Sequence, residues 1–161
     1  MFELWHIHAG GIVVRLLLAV SCGGAIGLER GWRNRDGGFR THILVCVGAA
    51  LFMMLSIFGF GDQHADALNH PLDPTVEPNM LADPSRLAAQ VVNGVGFLGA
   101  GMIMQNGKAV FGLSTAASIW IVAAIGLCMG AGFFFCGITA AILVLIVQLI
   151  LRRFNRSRSG S

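Results

Sequence analysis

The chain has 161 residues, of which 55% are hydrophobic and 12% charged, with a formal net charge of +3. A soluble domain of this length cannot hide so much apolar surface behind so few charges, so a water-soluble globular protein is excluded. Most of the arginines flank apolar runs, which is the pattern of membrane topology rather than of a nucleic-acid face, so the lipid bilayer is the expected partner and nucleic acid is not.

Apolar runs near the spanning length recur along the chain and predict an all-α, polytopic transmembrane bundle of about five helices in a single domain over 1–161. The first span covers about 9–28. Trp5 and Trp32 bracket it as interfacial anchors, and Arg15 inside it either snorkels to the outer interface or faces a wet interior. No basic n-region precedes it and no small-residue cleavage site follows it, so no cleavable signal peptide is expected. The second span covers about 41–60, with Thr41 suited to its N-cap after Gly37 and Gly38. Residues 61–84 hold five acidic residues, no Lys or Arg and all four prolines, and read as an acidic irregular loop. The third span covers about 85–104, capped by Asp83 or Ser85 with Pro84 in its first turn. A short loop from Gln105 to Lys108 leads to a fourth span at about 114–130. The fifth covers about 133–151 and runs into a tail of four arginines.

Basic residues fix the expected orientation. Arg30, Arg33, Arg35 and Arg40 lie between the first two spans, Lys108 between the third and fourth, and the last arginines after the fifth. Five spans put all three regions on one side, which the basic-residue bias makes the cytoplasm, with the N-terminus and the acidic loop outside. A faint internal repeat accompanies this layout. Gly27, Gly38, Thr41 and Ala49 have counterparts, at one constant offset, in Gly101, Gly112, Thr115 and Ala123, as expected of parallel repeats in transporter folds or of chance in a glycine-rich chain.

Gly94, Gly96 and Gly99 match the spacing of a dinucleotide-binding loop. That loop needs a preceding strand and a later acidic residue, and neither is present, so nucleotide binding is rejected. Close helix packing explains the glycines instead. Gly23 with Gly27, Gly96 with Ala100, and Gly126 with Gly130 are small-xxx-small pairs. Arg86, Gln90 and Asn93 share one helical face, which continues through Phe97. Such a stripe is expected to face the protein interior, either in interhelical hydrogen bonds or along a solute path. Glu29 ends the first span, as a surface carboxylate paired with Arg33 or a buried one paired with Arg30 or Arg40. One Glu makes a poor magnesium cage, so no metal site is assigned. The helix starts at Thr41 and Thr115 are capped ends, or anion sites near Arg40.

The remaining candidates are weaker. His42 reads as an interfacial ring. Cys22, Cys46, Cys128 and Cys136 read as buried thiols packing as small hydrophobes. His6, His8, Asp62, His64 and Asp66 are solvated polar residues or weak cation collectors. No nucleophile–base pair or carboxylate pair is evident, so neither an enzyme nor a cofactor is expected.

Three runs resemble the signatures of the MgtC/SapB family. They are Gly23 to Arg30 with Gly38 to Cys46, Asp83 to Gly101, and Gly112 to Trp120 continuing to Gly126. The resemblance covers most of residues 13 to 132. It implies a bacterial inner-membrane protein with several transmembrane helices, associated with growth at low magnesium and with virulence or stress adaptation, whose better-studied type acts on the rotary ATP synthase. Relative to that type, the chain is expected to lack the C-terminal soluble domain, since the sequence stops after the arginine tail, and to have a longer outer loop. Two functions are carried forward. One is a regulator of ion homeostasis or ATP synthase through membrane contacts, with a membrane-protein partner such as ATP synthase or as a homo-oligomer. The other is a small oligomeric ion or solute transporter or channel.

Overall fold

The computed structural model describes residues 9–31, 38–59, 84–107 and 109–158, with side chains described for all of these but 31, 84 and 151–158. Among the described residues, five helices and one small hairpin follow one another. They are α1 (Ala9–Gly31), α2 (Phe39–Phe58), α3 (Pro84–Gly101), β1 (Met104–Asn106), β2 (Ala109–Phe111), α4 (Leu113–Ala131) and α5 (Phe134–Arg158). Each helix lies on one of the expected apolar runs. In α1 (Ala9–Arg30), α2 and α4, the apolar stretch is long enough to cross a membrane, and α5 carries a shorter one over Phe134–Ile150. At about 1.5 Å per residue, twenty residues match the hydrocarbon thickness. The chain is a membrane protein of the all-α, helical-bundle class. The acidic stretch read over 61–84 lies outside the described residues up to 83, and Pro84 opens α3.

Contacts between distant residues fix the directions of the helices. At one end, Arg30 near the end of α1 reaches Ser114 at the start of α4. At the same end His42, near the start of α2, reaches Ser118 of α4. At the other end, Arg15 near the start of α1 touches Gly130 late in α4, Phe58 at the end of α2 and Phe134 at the start of α5. α1 therefore runs antiparallel to α2 and α4, which run parallel to each other.

α2 sits in the middle, and glycines on its neighbours let its backbone come close. A methyl group added at Gly23 would lie 2.8 Å from Cys46 Cβ and 2.9 Å from the His42 carbonyl oxygen. One at Gly27 would lie 2.9 Å from Phe39 Cα. On the other side, one at Gly126 would lie 2.9 Å from Ala49 Cβ, and one at Gly130 would lie 2.8 Å from Met53 Cβ. In lipid, where tails are as apolar as side chains, such close packing is what holds helices together. Ala19, Ile26, Cys46, Ala50, Val122, Ile125, Met129 and Ala141 form the main core. α3 docks through a second cluster, Val95 with Ala49, Ile119 and Ala123, flanked by Val91 and Met102.

Two expectations about helix ends are corrected. Thr41 does not cap α2, which starts at Phe39 with Gly38 as N-cap and no side-chain cap bond. Thr115 does not cap α4, which starts at Leu113 with Gly112 as N-cap, again without a side-chain bond. Both threonines are the third residue of their helix. Gly112 takes φ +87°, a left-handed conformation that glycine adopts without strain and that turns the hairpin into α4.

The loop expected at 105–108 is also corrected. The third span stops at Gly101, short of 104, and the chain pairs Met104 with Phe111, Gln105 with Val110 and Asn106 with Ala109. Gly107 opens the two-residue connection at φ +61°. Positive φ at Gly107 suits the tight turns that match strand twist, and glycine adopts it without strain.

Candidate functional site

Polar groups collect at the end of the bundle where α1 finishes and α2 and α4 begin. Arg30 is half-buried, and its Nη1 donates to Ser114 Oγ at 3.0 Å. Glu29, beside it, is also half-buried. Arg33, the other partner considered for Glu29, lies outside the described residues. Arg40 is exposed and Thr41 half-buried.

The centre of this cluster is His42. It was read as an interfacial ring, but its side chain is fully buried between α1 and α4. Its Nδ1 lies 3.0 Å from the Gly38 carbonyl oxygen, which also accepts the His42 backbone N–H. Its Nε2 lies 3.0 Å from Ser118 Oγ. Ser118 Oγ in turn lies 2.8 Å from the Thr115 carbonyl oxygen. Thr115 and Ser118 are themselves buried. Buried polar groups persist in an apolar bundle when they are hydrogen-bonded to one another, and this chain links α2 to α4. A lone histidine on an apolar run gives no sequence signal of this. The hint available was Ser118, one turn beyond Ser114 on the same predicted helix.

The stripe Arg86, Gln90 and Asn93 is placed differently from expectation. All three are exposed, and Phe97 beside them is 82% exposed. The face of α3 turned inward is the apolar one through Leu87, Val91 and Val95, with Gly99 against Ala116. Two stripes share the helix, and the apolar one matches the apolar surfaces of α2 and α4. The polar stripe therefore turns outward, away from the chain's own core. Gly96 and Ala100 follow it. Nothing among the described residues lies within 4 Å of a methyl group added at Gly96, and Ala100 is exposed, so the pair does not pack on a described helix as expected. Gln90 also borders an open groove of about 500 Å³ between α2 and α3, lined by Leu44, Gly48, Phe52, Val91 and Leu98. Gly94, Gly96 and Gly99 all lie inside α3, so the dinucleotide-loop spacing sits on a helix and not after a strand.

At the opposite end Arg15 is half-buried. Its Nη1 donates to the Gly130 carbonyl oxygen in the last turn of α4, and its guanidinium lies 5.0 Å from the Phe58 ring centre and 5.9 Å from that of Phe134. It was expected to snorkel or to face a wet interior. It meets the electronegative C-terminal end of α4 between two aromatic rings, at the end of the bundle. His6, His8, His64, Asp62 and Asp66 lie outside the described residues.

The family model described as "MgtC family" matches residues 16–157. Over 150 residues the chain is 43% identical to a protein of Escherichia coli strain K12 named "Putative magnesium transporter YhiD", covering 90% of this chain and 65% of that protein. Over 140 residues it is 41% identical to "Protein MgtC" of Salmonella typhimurium strain LT2, covering 87% of this chain and 52% of that one. An uncharacterized protein of Synechocystis, slr0014, is 38% identical over 140 residues, with the same coverage. The chain thus spans between half and two thirds of the length of these relatives. No solved structure matches it.

Proposed function

The chain belongs to the MgtC family, and from that premise we propose that it is a magnesium-linked membrane protein that regulates ion homeostasis or the ATP synthase through helix contacts within the bilayer. The observation that carries this reading is the outward polar face of α3. Arg86, Gln90 and Asn93 leave the bundle on a helix whose other face is already docked. Amides facing lipid lack hydrogen-bond partners, so such a face favours another membrane protein. Gly96 and Ala100 beside it allow a close approach, and Phe97 offers an anchor.

The same reading takes the chain as a multi-pass protein of the bacterial inner membrane, active in adaptation to low magnesium or stress. The helix directions support it. The end of α1, the start of α2, the hairpin and the end of α5 fall at one end of the bundle, and most of the basic residues lie in or between these segments of the sequence. That end is cytoplasmic under the basic-residue bias.

The test is affinity isolation of the tagged chain from gently solubilised membranes, beside the double variant Gln90→Leu with Asn93→Leu. Leucine suits lipid, so the variant should fold and reach the membrane normally. The unaltered chain should recover a defined membrane partner, and the variant at least about tenfold less of it, as expected for roughly 1.4 kcal/mol of lost contact. Recovery of the chain alone in both samples counts against the proposal. The alternative, a small oligomeric transporter or channel, would be favoured instead by a saturable flux in liposomes that Asn93→Ala abolishes.

A further inference from the structure

We infer that His42 is a proton-binding site whose occupancy is read by α4 through Ser118. Hydrogens can be counted at this site. The Gly38 carbonyl oxygen only accepts, so the ring Nδ1, 3.0 Å away, carries a hydrogen. The Thr115 carbonyl oxygen, 2.8 Å from Ser118 Oγ, also only accepts. Ser118 has one hydroxyl hydrogen and two neighbours that want it, Nε2 of His42 at 3.0 Å and Thr115 oxygen.

In the neutral ring Nε2 has no hydrogen. The Ser118 hydroxyl then donates to Nε2, and Thr115 goes without its side-chain bond. When the ring binds a proton, Nε2–H donates to Ser118 Oγ. That frees the hydroxyl to donate to Thr115. All three short contacts are satisfied together only in the protonated ring. Proton uptake thus adds one hydrogen bond and makes the α2–α4 link a charge-assisted one.

The surroundings leave little room for a ligand larger than a proton, and burial makes the charged ring depend on the hydrogen bonds it gains. His42 is fully buried, and a methyl group added at Gly27 would lie 3.0 Å from its Cβ. On α1, which meets His42 through Gly23 and Gly27, the titratable and charged groups in the neighbouring turns are Cys22, Glu29 and Arg30. On α2 they are Arg40 and Cys46. On α4 the facing residues are Thr115 and Ser118, with no charge. Glu29 is the one carboxylate among the described residues, and it lies within a turn of Gly27.

The experiment is nitrogen NMR of the full chain in lipid nanodiscs with labelled histidine. The other four histidines, His6, His8, His64 and His70, are replaced by glutamine so that His42 alone reports. Between pH 8 and pH 5 the ring should pass from a single tautomer protonated at Nδ1 to the imidazolium. Ser118→Ala removes the acceptor that the charged ring needs. It should displace the transition to lower pH by roughly 0.5–1 unit, the equivalent of one ordinary hydrogen bond. Ser118→Cys serves for the same comparison where the alanine variant does not fold. Three results would overturn the inference: no transition in that range, a neutral ring protonated at Nε2, or a transition that neither Ser118 variant moves.

Discussion

A methyl group at Gly126 meets α2, and a methyl group at Gly96 meets none of the described residues. The two glycines belong to similar sequence patterns and have opposite consequences. Gly126→Val forces α2 and α4 apart, and overpacking of this kind costs about 1–3 kcal/mol. Gly96→Ala leaves the packing among the described residues untouched. Thermal unfolding in detergent should therefore show a clear fall in Tm for the first variant and none for the second. An equal fall for both would mean that Gly96 is also packed in the solubilised protein. Sequence spacing alone assigned these glycines the same role, because it reveals that a face is small but not which neighbour the face meets.

The hairpin and the helix starts belong to the scale of elements. Gly107 and Gly112 both have positive φ, but only Gly112 is crowded, with its missing side chain directed at the Met102 carbonyl. Alanine in a left-handed conformation costs about 1–2 kcal/mol. Gly112→Ala adds the clash to that cost, so it should destabilise the protein more than Gly107→Ala. Parallel denaturation curves of the two variants check the order. The five helices themselves were legible as apolar runs, to within a few residues at most ends. The helix starts were not, because Thr41 and Thr115 suit capping in isolation while a glycine two or more residues earlier already turns the chain. The direction of α3 was not legible either. Its polar and apolar stripes are both plain in the sequence, and which one faces inward is decided by the surfaces of α2 and α4. His42 was overlooked for a related reason, since its partner lies on another helix far along the chain.

For the whole molecule, antiparallel and parallel directions sort the connections onto two ends. Gln105 in the hairpin belongs to one end, and Phe133 between α4 and α5 to the other. In a background free of the four native cysteines, Gln105→Cys should react with an impermeant maleimide only from the cytoplasmic side, and Phe133→Cys only from the opposite side. Labelling of both from one side would rule out this orientation. The faint repeat gains a partial counterpart here. Gly38 and Gly112 are both N-caps of the parallel pair α2 and α4, but they differ in backbone conformation, at φ −78° and +87°.

The seam between α2 and α4 has a consequence at the level of the gene. Its close contacts depend on Gly126 and Gly130, where any side chain would collide with α2. Every glycine codon, changed at one base, either still encodes glycine, encodes a residue with a Cβ, or stops translation. No single-base step at these positions leads to a gentler intermediate, as Leu to Met or Ile to Val does elsewhere in the core. The centre of the molecule is therefore fixed by mutational isolation as well as by packing, while the outer face of α3 remains free to change with whatever it meets.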